Sequence, residues 1–83
     1  MRLPVIRQLL NCRPEDLAAS LFVLDRACDA RGVTEEELDV IGELISNISG
    51  AIEVHHDIDS GESERVALNN FMKKVTSIGK WAI

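Results

Sequence analysis

Thr34–Ile58, TEEELDVIGELISNISGAIEVHHDI, decides the fold. Thr34 with Glu37 three residues on has the form of a capping box. In it the hydroxyl accepts from one backbone N–H at a helix start and the carboxylate accepts from another. Leu38, Ile41, Ile45, Ile48 and Ile52 then recur at alternating spacings of three and four, which is a helical stripe. Plotted at about 100° per residue, these five lie at the centre of a broad apolar arc. Val40, Leu44, Ala51, Val54 and Ile58 flank it on one side. Asp39, Glu43, Glu53 and Asp57 lie opposite, together with Gly42, Ser46, Ser49 and Gly50. So wide an arc predicts a long central helix over 35–58 that touches several neighbours.

The segments on either side supply those neighbours. Pro4 suits the first turn of a short helix reaching Leu10, because its missing N–H costs nothing there. A short strand over 3–6 is the weaker alternative. Pro14-Glu15-Asp16 opens a second helix with acidic residues at its positive end. Its stripe is Leu17, Leu21, Leu24 and Cys28, widened by Ala18, Phe22 and Ala27, and Gly32 is the expected left-handed stop. Asp59-Ser60-Gly61 reads as a turn and Ser63 as the N-cap of a last helix. Leu68, Phe71, Met72, Val75 and Ile78 form that helix's stripe, and Trp81 is expected to fray or dock. The expected architecture is all-α, a small helical bundle of three substantial helices plus a short N-terminal helix, in one domain over 1–83.

Eighty-three residues make a marginal core, since a chain this short buries only roughly 60% of the surface it exposes unfolded. Apolar residues are 46% and aromatics 4%, so that core is aliphatic. The chain is acidic, with a net charge of −5. Arg2, Arg7 and Arg13 are scattered and Lys73–Lys74 is the one adjacent basic pair. Binding a phosphate backbone needs clustered cations, so no nucleic-acid partner is expected. No apolar run approaches a bilayer span, and Met1-Arg2-Leu3-Pro4 does not open a secretory signal. The expectation is a cytoplasmic protein, away from membranes, with Cys12 and Cys28 as reduced thiols and Cys28 packed in the core.

Met1-Arg2-Leu3-Pro4-Val5-Ile6, the run EELDVIGELISNISGAIEVH and the run ALNNFMKKV together resemble a small uncharacterised family of Bacteroidetes-type bacterial proteins, a domain of unknown function. The resemblance spans nearly the whole chain and is specific in 36–55 and 67–75; residues 11–34 match in general character only. It implies a compact bacterial cytoplasmic protein. That family carries no assigned activity, so the resemblance brings no catalytic residue with it.

Three features bear on chemistry. Glu53 and His56, three residues apart, project from one side of a helix as in di-iron carboxylate bundles. Such a site also needs carboxylates from other helices; Glu43 lies too far along the same helix, which leaves Asp25, Glu64 or a second subunit to complete it. A solvated acidic helix end is therefore the stronger reading of Glu53 and His56, and no cofactor is expected. His55 falls inside the apolar arc, where a half-buried ring bonded to a backbone carbonyl is expected ahead of a pH-sensitive contact. Cys12 lies between helices with Arg13 as its one local activator, which makes a poor case for a nucleophile. No phosphate loop or serine elbow occurs, and no small-molecule substrate is evident.

The small residues Gly42, Ser46, Ser49 and Gly50 leave room for another backbone, either the last helix of the same chain or a second subunit. Each helical glycine costs about 1 kcal/mol against alanine, so close packing is the natural compensation. Surplus aliphatic surface on the third and fourth helices points to a small interaction or assembly module without its own catalytic activity. The expected partner is a second copy forming a homodimer, or another protein. Gly42, Ile45, Ser46, Ser49, Gly50 and Phe71 are the candidate interface. The alternative is a small metal-binding or redox-accessory helical protein using Glu53 and His56, with or without Cys12.

Overall fold

Each helix begins where the sequence can satisfy its first turn. Pro4 stands in the first turn of α1 (Leu3–Leu9), and Pro14 opens α2 (Pro14–Ala27), whose first turn also holds Glu15 and Asp16. At the start of α3 (Glu35–Asp59) the capping box is complete. The Glu37 N–H donates to Thr34 Oγ1 at 3.1 Å, and the Thr34 N–H donates to Glu37 Oε1 at 2.9 Å. That backbone hydrogen bond holds the Glu37 carboxyl below its usual range. Ser63 caps α4 (Glu64–Trp81), its Oγ accepting from the Val66 N–H at 3.2 Å. These elements come from a computed structural model that describes the backbone of residues 2–81 and the side chains of residues 2–75. No strand occurs among the described residues, and 3–6 is helical.

One helix stop differs from expectation. The second helix ends at Ala27, five residues before Gly32. The N–H groups of Cys28, Asp29 and Ala30 turn back to the carbonyls of Leu24, Arg26 and Ala27, and the last two of these bonds close tight three-residue turns that end the helix. Gly32, at φ 83°, serves the loop that leads to Thr34. Gly61, at φ 111°, makes the expected turn between α3 and α4.

The third helix is central. It packs against α2 on one side and against α1 and α4 on the other, and α1 also meets α4. The core is Ile6, Leu17, Ile48, Ala51, Val54, Ala67, Leu68 and Phe71. Two corrections to the stripes follow. The most deeply buried positions of α3 are Ala51 and Val54, from the flank of the expected arc, and burial is confined to its C-terminal half. Leu38, placed at the centre of the arc, is exposed. Helix length explains this: at 1.5 Å per residue α3 is about 37 Å long and α1 about 10 Å, so α1 cannot cover the whole of it. On α2, Leu17 is buried, whereas Ala18 and Phe22 point to solvent. The Arg26 guanidinium stacks 5.3 Å above the Phe22 ring. The expected roles of Ile78 and Trp81 fall on side chains outside the described residues.

Mismatched helix lengths leave a thin molecule of 43 × 34 × 17 Å. Its radius of gyration is 13.8 Å, where a compact chain of this length has about 12 Å.

Candidate interaction surface

Three polar contacts fix how far the N-terminal segment reaches along α3. The Arg2 N–H donates to Oδ1 of the buried Asn47 at 2.8 Å, which anchors the start of α1. The Arg2 guanidinium pairs with Glu43 at 3.3 Å. Further on, His55 Nε2 lies 2.9 Å from the Cys12 carbonyl. A carbonyl only accepts, so Nε2 carries the hydrogen; the ring is half-buried, as the sequence suggests. Between these ties the chain covers Ala51 and Val54 completely. On the N-terminal side of Asn47 the same flank of α3 is bare: Val40 is 62% and Leu44 43% exposed. Val23 on α2 is 64% exposed. None of these three was singled out by the sequence as interface, because the wheel assigns Val40 and Leu44 to the core flank. The signal available was the shortness of the first helix.

The candidate interface residues divide. Ile45, Ser46, Ser49, Gly50 and Phe71 line one groove of about 290 Å³ between α3 and α4. Gly42 is not part of it and is exposed, with no described atom near the place a Cβ would take. Gly50 and Phe71 are engaged within the chain. A Cβ on Gly50 would lie 2.8 Å from Phe71 Cζ and 3.1 Å from Ile6 Cδ1. Gly50 thus lets the edge of the Phe71 ring come close to α3, and Phe71 belongs to the core, 4% exposed. Of the small residues, Gly50 serves close packing by α4 of the same chain; Ser49 and Gly42 remain open to solvent.

The groups considered for metal chemistry are apart or engaged. Glu53 pairs with Lys74 across the α3–α4 groove, and that hydrogen bond raises the lysine pKa. His56 is exposed one turn on, and among the described residues no three His, Cys, Asp or Glu side chains gather to hold an ion. Cys12 is exposed, Cys28 half-buried, and both are free thiols. Arg13, the expected activator of Cys12, is bound to Asp16 through two hydrogen bonds of 3.0 and 3.1 Å. That pairing raises the arginine pKa and lowers that of the aspartate. No helix of the described chain is long and apolar enough to cross a membrane.

No curated protein and no solved structure matches the chain. The family model of a family of unknown function (DUF6952) matches residues 1–78. With three helices packed around α3 and that match over almost its entire length, the chain belongs to this family of unknown function.

Proposed function

We propose that this protein is a small helical assembly module that acts by binding a second copy of itself and performs no catalysis of its own. The carrying observation is the aliphatic surface left in water: Val40 and Leu44 of the central helix and Val23 of α2 are exposed. Burial at about 25 cal/mol per Å² is what a marginal core of this length lacks. The ionic groups that chemistry would draw on are engaged with one another, as with Glu53 and Lys74 or Arg13 and Asp16. The reading involves no cofactor, substrate or nucleic acid. Two free thiols suit a reducing cytoplasm.

Thermal melting across a hundredfold range of protein concentration tests the reading. A dimer that binds only in its folded form melts at higher temperature as concentration rises. A midpoint independent of concentration, with wild type sedimenting as a monomer, would remove self-association.

A further inference from the structure

We draw no further inference here: the strongest candidate, the groove between α3 and α4 that runs over Gly50 and Phe71 to the Glu53–Lys74 pair, is an apolar groove and nothing in the structure shows what covers it.

Discussion

Gly42 and Gly50 share one helix, yet their surroundings make opposite demands. At Gly42 an added methyl meets no described atom, so alanine collects the full helix-propensity gain. At Gly50 the same methyl meets the Phe71 ring at 2.8 Å, and that ring is locked in the core by α4. Gly42→Ala is expected to raise stability by up to about 1 kcal/mol. Gly50→Ala is expected to lower it by about 1 kcal/mol or more, because the cost of overpacking exceeds the propensity gain. Urea titrations of the two variants check this, and equal shifts of the same sign would contradict it. Spacing in the sequence marks both glycines as places for close approach, but it does not reveal which one another helix reaches. Asn47 teaches the same lesson: it is a buried polar residue whose partner, the Arg2 N–H, is 45 positions away.

The starts of the helices were legible because their chemistry is local. Thr34 with Glu37 and Ser63 with the next turn satisfy backbone N–H groups within three residues, while Pro14 has no N–H to satisfy and its two acids face the positive end of the helix. Thr34→Ala is therefore expected to cost about 1 kcal/mol. The Glu37 carboxylate adds a dependence on pH. Its folded pKa is depressed, so its contribution is present above the unfolded value, about 4.3, and is lost as pH falls through the lower folded value. Glu37→Gln keeps a side chain able to complete the box but does not titrate there. Acid titrations followed by circular dichroism should show a shallower loss of stability below about pH 4 in Glu37→Gln than in wild type. Parallel curves would remove the carboxylate from the account. The early end of α2 was not legible, since Gly32 stands in the left-handed conformation without terminating the helix. The stripe of α3 was legible as apolar, but which half lies under its neighbours depends on how far α1 reaches.

For the whole molecule, one long helix has short companions, and the result is a slab 17 Å thick with aliphatic residues on its open flank. The all-α class and the central position of α3 could be read from periodicity alone. The candidate surface was legible only in part. The sequence pointed to surplus aliphatic surface on the third and fourth helices, and it marked Ile45, Ser46 and Ser49, which the structure gathers in one groove. It did not show that Phe71 and Gly50 are spent within the chain, or that Val23, Val40 and Leu44 are left bare, because both depend on crossing geometry. Self-association is the central claim, and sedimentation equilibrium of the wild-type protein at micromolar concentration tests it most directly. The account predicts a mass of twice 9.2 kDa that falls toward 9.2 kDa on dilution. A mass of 9.2 kDa at every concentration would contradict it.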